Sequence, residues 1–335
     1  MRDSPLHVAV VGATGAVGEE ILQCLDQRDF PLTDLTLLAS ARSAGKNIHF
    51  QGQKIKVKEL THDAFDAVDI ALFSAGGGIS LEFAPSAAAA GATVIDNSSA
   101  FRMDEDVPLV IPEINPEAAR QTTRGIIANP NCTTIVTLMA LAPLHREFGL
   151  KTLVASSYQA VSGSGAKGIA ELESQVAALG RGEAIEPDVY PHQIAFNAIP
   201  QVETIGANGY TKEEMKMQNE GRKILGTDTL IASVTCVRIP VFRSHSISVS
   251  ADFEKQPSVA AARAAITAFP GVQVRDDREA ALYPTPLDAT GGDDCLVGRI
   301  REDLVFKNGL SLWVVGDQVR KGAALNAVQI AELLT

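Results

Sequence analysis

Short runs of apolar, often β-branched residues mark the first part of the chain at His7 to Val11, Leu35 to Ala39, Asp69 to Ser74, Ala92 to Asp96, Leu109 to Ile111 and Gly125 to Ala128. They are mostly apolar rather than alternating, the pattern of strands covered on both faces, and so predict a buried parallel sheet. Between the first two runs, Gly18 to Gln27 sets Ile21, Leu22 and Leu25 on one helical face; between the third and fourth, Ser80 to Ala90 is alanine-rich and strongly helix-forming. Repeated strand, helix, strand order predicts an α/β fold with an N-terminal doubly wound, Rossmann-type sheet.

Beyond residue 131 the pattern changes. Longer strand-like segments at Leu153 to Val161 and Leu230 to Phe253 accompany amphipathic stretches at Gly165 to Leu179 and Lys212 to Leu225, predicting an α+β domain with a mixed sheet. Ile135 to Leu144 is apolar nearly all round and predicts a buried helix. Lys321 to Leu334 has helical spacing at Leu325, Val328 and Ala331; periodicity alone lets it either close the second domain or return to the first.

Charge narrows the function. The 335 residues include 29 Lys plus Arg against 40 Asp plus Glu, a net −11, which offers nucleic-acid phosphates no basic field. No apolar run approaches the roughly 18 to 20 residues of a membrane span. The start, MRDSPLHVAVVG, has no basic segment ahead of a long apolar one, so a cytoplasmic location without membrane contact is expected. Cys24, Cys132, Cys236 and Cys295 lie far apart without CxxC spacing, so neither a disulfide framework nor a metal site is expected.

Four places carry chemistry. Gly12-Ala13-Thr14-Gly15-Ala16-Val17-Gly18 puts a glycine turn between the first strand and its helix, where backbone amides can approach a pyrophosphate. The second strand ends Ser40-Ala41-Arg42-Ser43 in place of the acidic residue that suits NAD; a cation with two hydroxyls suits a 2′-phosphate and favours NADP, the alternative being a solvated loop arginine. In Asn129-Pro130-Asn131-Cys132-Thr133-Thr134 the proline places Cys132 in or next to the first turn of the buried helix, where unpaired amides favour a thiolate. The polar collar of Asn131, Thr133 and Thr134 favours a nucleophile over a small buried hydrophobe, the reading kept for Cys24 on an apolar helix face, Cys236 in a strand and Cys295 at a strand start. Among the histidines, His245 stands apart, in Arg238-Ile239-Pro240-Val241-Phe242-Arg243-Ser244-His245-Ser246, where Pro240 interrupts a strand; a catalytic partner and a satisfied structural histidine both remain open there.

These motifs, with Ser98-Ser99-Ala100-Phe101-Arg102, Ser157-Tyr158-Gln159-Ala160-Val161-Ser162-Gly163 and Glu213-Glu214-Met215-Lys216-Met217, resemble the aspartate-β-semialdehyde dehydrogenase family over essentially the whole chain. The resemblance implies NADPH-dependent reductive dephosphorylation of β-aspartyl phosphate to aspartate semialdehyde and phosphate, on the route to lysine (through diaminopimelate), methionine, threonine and isoleucine. It implies a Cys132 thioester, His245 as acid/base and Gln159 orienting the acyl group. Arg238 would take the substrate carboxylate, Glu213 its ammonium, and Arg102, Asn131 and Lys216 the phosphate; without the resemblance, Glu213 and Lys216 read as an ordinary surface ion pair. Ser74 and Gly76, Ser162 and Gly163, and Asn326 would border the cofactor. The implied domains are 1–131 with 320–335, binding NADP, and 132–319, catalytic and forming a homodimer or tetramer. N-acetyl-γ-glutamyl-phosphate reductase, whose acetylated substrate has no ammonium for Glu213, is the alternative enzyme, and a non-catalytic NADP-binding protein the alternative from another class.

Overall fold

The structure, a computed structural model, describes residues 6–335; residues 1–5, part of the stretch read as free of a leader, lie outside the described residues. The chain divides into two units, residues 6–131 with Ala323–Thr335, and Cys132–Gly322. In the first, β1 (Leu6–Val11) runs through α1 (Ala16–Gln27) to β2 (Leu32–Ala39). A hairpin of β3 (Asn47–Phe50) and β4 (Gln53–Lys56) and the short β5 (Lys58–Glu59) come next, then β6 (Ile70–Phe73), α2 (Gly77–Ala89), β7 (Thr93–Asp96) and β8 (Ile126–Ala128). The sheet order is β5-β2-β1-β6-β7-β8, every pair parallel. Its central strands are buried along their length, which is why they read as unbroken apolar runs.

Leu109 to Ile111 is not a strand. It is fully buried but makes one isolated bridge, Leu109 to Ala128. Asn115 takes over its backbone instead, accepting from the Ile111 N–H at 2.9 Å and donating to the Leu109 carbonyl at 2.9 Å. With a side chain satisfying these groups and Pro112 unable to donate, no ladder extends.

The second unit contains α3 (Cys132–Phe148), β9 (Leu150–Gln159), α4 (Gly165–Arg181), α5 (Lys212–Leu225), β10 (Ile231–Arg238), β11 (His245–Phe253), α6 (Val259–Thr267), β12 (Val272–Val274), α7 (Pro286–Ala289), β13 (Cys295–Glu302) and β14 (Gly309–Gly316). The sheet order is β10-β9-β11-β14-β13-β12; β10 with β9 and β12 with β13 are parallel, the other pairs antiparallel. The segment read as strand-like from Leu230 to Phe253 is two strands, broken where Pro240 stands, and they flank β9 on opposite sides. Helix α3 is buried from Thr133 to Leu144 and lies on β9, β11, β13 and β14. Gly316 permits this approach: a Cβ there would stand 2.8 Å from Val136 and 3.0 Å from the Cys295 sulfur. On the opposite face, Val154 is exposed and Tyr158, Ser248 and Trp313 are partly so.

After Gly322 the chain returns to the first unit as α8 (Leu325–Glu332). Leu325, Val328, Ile330 and Ala331 join Val8, Val10, Ile21 and Leu25 in one core cluster, and Arg28 grips Glu332 bidentately at 2.6 and 2.7 Å.

Candidate functional site

A cleft of about 450 Å³ opens in the first unit beside the glycine turn, bordered by Gly12, Thr14, Gly15, Ser40, Arg42, Ser43, Ser74 and Phe83. Gly12 has φ +86°, and a Cβ on it would press to 2.9 Å from the Ser74 carbonyl; one on Gly18 would fall 2.2 Å from the Gly12 carbonyl. Only glycine lets β1, the turn and α1 meet this closely. Gly15 caps α1 without a side-chain hydrogen bond, so Ala16, Val17 and Gly18 form a first helical turn whose amides suit a phosphate. Gly76, φ +93°, caps α2 in the same way. The carboxylate bordering this cleft is Glu82, on α2, while the end of β2 carries Ser40, Arg42 and Ser43. A cleft with glycine-backed amides, a cation and three serines at its wall fits a dinucleotide bearing an extra phosphate.

In the second unit, strand register builds a row. Arg238 is opposite Gln159, Ser246 is opposite Tyr158, and His245 is opposite Gly316, so Arg238, Gln159, His245 and Gly316 lie side by side across four strands. All three side chains in the row are buried. Arg238 and His245 are an odd number of residues apart and would face opposite ways on one regular strand. The turn through Pro240, ending on Ser244 at φ +74°, brings them to the same face. Cys132, half-buried, starts α3. A Cβ on Gly322 would come within 2.9 Å of the Cys132 Cβ, so that glycine lets the chain pass the thiol-bearing residue.

Gln159 Nε2 donates to Thr133 Oγ1 at 2.9 Å and to Glu213 Oε1 at 3.0 Å, and lies 3.5 Å from His245 Nε2. Glu213 also receives Lys216 at 2.8 Å, one helical turn on. A capping box from Thr211 to Glu214 fixes the start of α5, and Glu214 accepts the Cys236 amide at 2.9 Å, tying the helix to β10. Arg238 donates to the Ala160 carbonyl at 2.6 Å and lies over the Tyr190 ring, 5.9 Å from its centroid. Gly163 closes one wall: a Cβ there would be 2.7 Å from Arg238 Nη1 and 3.4 Å from the His245 ring. Gln318 joins this wall to β11, donating to Ser162 Oγ and accepting the Ser244 amide at 2.7 Å.

Electrostatics follow from this packing. His245 Nδ1 accepts the Ala160 amide at 3.0 Å, and since that N–H is a donor, the neutral ring carries its proton on Nε2. Complete burial, then the Arg238 charge, push the imidazole down to about 3 against a weaker pull from Glu213, so it is neutral at physiological pH. Burial works against the Lys216 ammonium, but Glu213 and Glu203 outweigh it and hold it above its usual value. Burial pushes the Cys236 thiol up to about 12, with Glu213 adding to the effect, which makes it inert.

Other expected residues belong to the first unit or line the wall just described. Arg102 belongs to the first unit, where its Nε donates to the Asn129 carbonyl at 2.8 Å and its Nη2 to Asn97 at 3.0 Å; Asn131 is buried at the end of the same unit. Asn326 is wholly buried in the first unit, donating to Val110 O at 3.0 Å and Asn129 Oδ1 at 2.6 Å. Ser162 and Gly163 lie against Gln318, Arg238 and His245. Thr133, read only as part of a polar collar, touches Gln159 and Glu213; Tyr190 and Gln318 had no local pattern to mark them. Among the described residues, no group of three His, Cys, Asp or Glu is placed to hold a metal ion.

A glycine-turn nucleotide unit, joined in one chain to a unit with a cysteine at a helix start and a buried row of glutamine, histidine and arginine, is the make-up of the semialdehyde dehydrogenase class. Comparison with known proteins agrees. A family model described as semialdehyde dehydrogenase, NAD binding domain matches residues 7–122, and one described as semialdehyde dehydrogenase, dimerisation domain matches residues 141–321. The aspartate-semialdehyde dehydrogenase of Aquifex aeolicus is 52% identical over 331 residues, 98% of this chain and 97% of that one. The structure of aspartate semialdehyde dehydrogenase II from Vibrio cholerae complexed with ASA superposes with a TM-score of 0.97 at 46% identity, covering 99% of this chain and 98% of that chain. That of the Candida albicans enzyme with NADP has a TM-score of 0.76 at 25% identity, covering 99% and 98%. Within the class, the chain belongs to the aspartate-semialdehyde dehydrogenase family.

Proposed function

We propose that this protein catalyses the reversible, NADPH-dependent conversion of β-aspartyl phosphate to aspartate semialdehyde and phosphate, feeding lysine, methionine, threonine and isoleucine synthesis. The observation that carries the reading is the buried row of Arg238, Gln159 and His245. It supplies a carboxylate fork, an amide and a neutral N–H donor on one face of the sheet, with Cys132 opening the helix that lies on that face. The Cys132 thiolate displaces phosphate to form a thioester. Bound NADPH supplies the hydride. Gln159 orients the acyl group, Arg238 holds the α-carboxylate, Glu213 the ammonium, and Lys216, Arg102 and Asn131 the phosphate. The tetrahedral adduct collapses to aldehyde and thiolate without a net proton transfer, so a neutral His245 serves by donating its Nε2–H to the developing oxyanion. That narrows the acid/base role implied by resemblance to hydrogen-bond donation.

The first unit holds the cofactor and prefers NADP(H) through Ser40, Arg42 and Ser43. The second binds substrate and forms a homodimer through the sheet face opposite α3, where Val154, Tyr158 and Trp313 are at least partly exposed. Among the described residues no helix is long and apolar enough to cross a membrane. A biosynthetic role beside soluble amino-acid substrates supports a cytoplasmic enzyme. The test is an NADP-linked assay with aspartate semialdehyde and phosphate beside N-acetylglutamyl semialdehyde and phosphate. Turnover of the first with little of the second is expected; the reverse preference would overturn the assignment.

A further inference from the structure

Lys216 is held by a carboxylate that no role above requires. Its side chain is 16% exposed and commits two of its three N–H donors, one to Glu213 at 2.8 Å and one to Glu203 at 2.6 Å. The two acids differ in kind. Glu213 is 5% exposed and bound on its other oxygen by Gln159, whereas Glu203 is 41% exposed. Glu203 arrives from the loop ahead of α5 with φ +64°, an unusual backbone for a residue bearing a side chain. The loop is pinned on both sides of it: Gln201 Nε2 donates to the Glu203 carbonyl at 3.2 Å and the Lys212 amide to the Thr204 carbonyl at 2.9 Å. Two carboxylates around one ammonium give the trio a net charge of −1, an unfavourable surrounding for a dianion.

We infer that Glu203 is a built-in competitor for the anion position at Lys216, occupying it in the resting enzyme and yielding it to the phosphate. This rests on the reading of Lys216 as a phosphate ligand. A carboxylate oxygen and a phosphate oxygen satisfy the same ammonium donor, and the more exposed of the two acids is the one an incoming anion can displace at small desolvation cost. Phosphate binding is weakened by the need to displace Glu203. Phosphate departure in the biosynthetic direction is helped by its return.

The experiment measures initial rates in the oxidative direction with phosphate varied, in the full-length enzyme and in Glu203→Gln, Glu203→Ala, Lys216→Met and the Glu203→Gln/Lys216→Met double variant. Removing the Glu203 charge should lower the phosphate KM about threefold to tenfold, the size of one partly exposed charge-assisted hydrogen bond, and tighten product inhibition by phosphate in the reverse direction as much. The semialdehyde KM should stay put, which a general structural loosening would not allow. Lys216→Met should raise the phosphate KM, and in that background Glu203→Gln should have no further effect. A phosphate KM unchanged or raised in both Glu203 variants, with Lys216→Met raising it, overturns the competitor role alone. An unchanged phosphate KM in Lys216→Met overturns the placement of phosphate at Lys216.

Discussion

Replacing His245 by glutamine separates a neutral hydrogen-bond donor from a titrating acid/base. In the folded protein, protonating the ring would set an Nδ1–H against the Ala160 amide 3.0 Å away and add a buried cation beside Arg238. The folded value of about 3 lies below the ordinary 6.5, so as pH falls the unfolded chain takes up this proton first. The contribution to stability is therefore complete above about pH 6.5 and is lost progressively as pH falls toward the folded value. At about pH 4.5, roughly two pH units below the ordinary histidine value, the native protein should have lost about 3 kcal/mol on this account, at about 1.4 kcal/mol per unit. His245→Gln should not show that loss. Urea unfolding of both proteins at about pH 7 and about pH 4.5 measures the difference, in which the other histidines, common to both, cancel. Nitrogen-15 NMR of labelled histidine should find Nε2 protonated and no titration of His245 between about pH 5 and 8. Because one oxyanion donor is worth roughly 10² to 10³ in kcat, the variant should slow by that order if the glutamine amide does not reach the same oxygen. Equal acid destabilisation of the two proteins, or a His245 titration near 6.5, would refute the reasoning.

Cys132→Ser should fold and bind NADP yet lose activity by several orders of magnitude, and thiol alkylation mapped by mass spectrometry should track inactivation at Cys132, since the Cys236 thiol is pushed up to about 12 and Cys24 and Cys295 are buried. Arg42→Ala should raise the KM for NADP more than that for NAD; equal effects in steady-state assays would remove Arg42 from 2′-phosphate recognition. Gly163→Ala should raise the semialdehyde KM by about tenfold or more with a modest change in melting temperature, because its methyl meets Arg238 Nη1 at 2.7 Å and displaces the fork that binds carboxylate. An unchanged KM would mean Arg238 can move aside without loss.

The doubly wound sheet was legible because strands covered on both faces leave continuous apolar runs, and α1 because its buried stripe has helical period. Leu109 to Ile111 met the same criterion and failed, since burial does not guarantee a ladder and the side chain of Asn115, four to six residues on, captured its backbone. The strands β12 and β14 were missed, and β13 was marked only by its start at Cys295, although β13 and β14 contribute most of one half of the second sheet. Cys132 and His245 could be singled out from local chemistry. The row that joins His245 to Gln159 and Arg238 could not, because it depends on register across β10, β9 and β11. Tyr190 and Glu203 come from irregular loops, where no periodicity connects a residue to the partner it touches.

The return of α8 to the first unit has a consequence for synthesis on the ribosome. Leu325, Val328 and Ile330, each worth about 1.5 to 3 kcal/mol when buried, complete the core beside Val8, Val10 and Ile21, yet they are translated only after the whole of Cys132–Gly322. The nucleotide unit must therefore wait, with part of its apolar surface uncovered, while the intervening unit is made and can fold. A nascent chain stalled shortly before Leu325 should expose that surface to chaperones and proteases, even though the site around His245 already has every residue it needs.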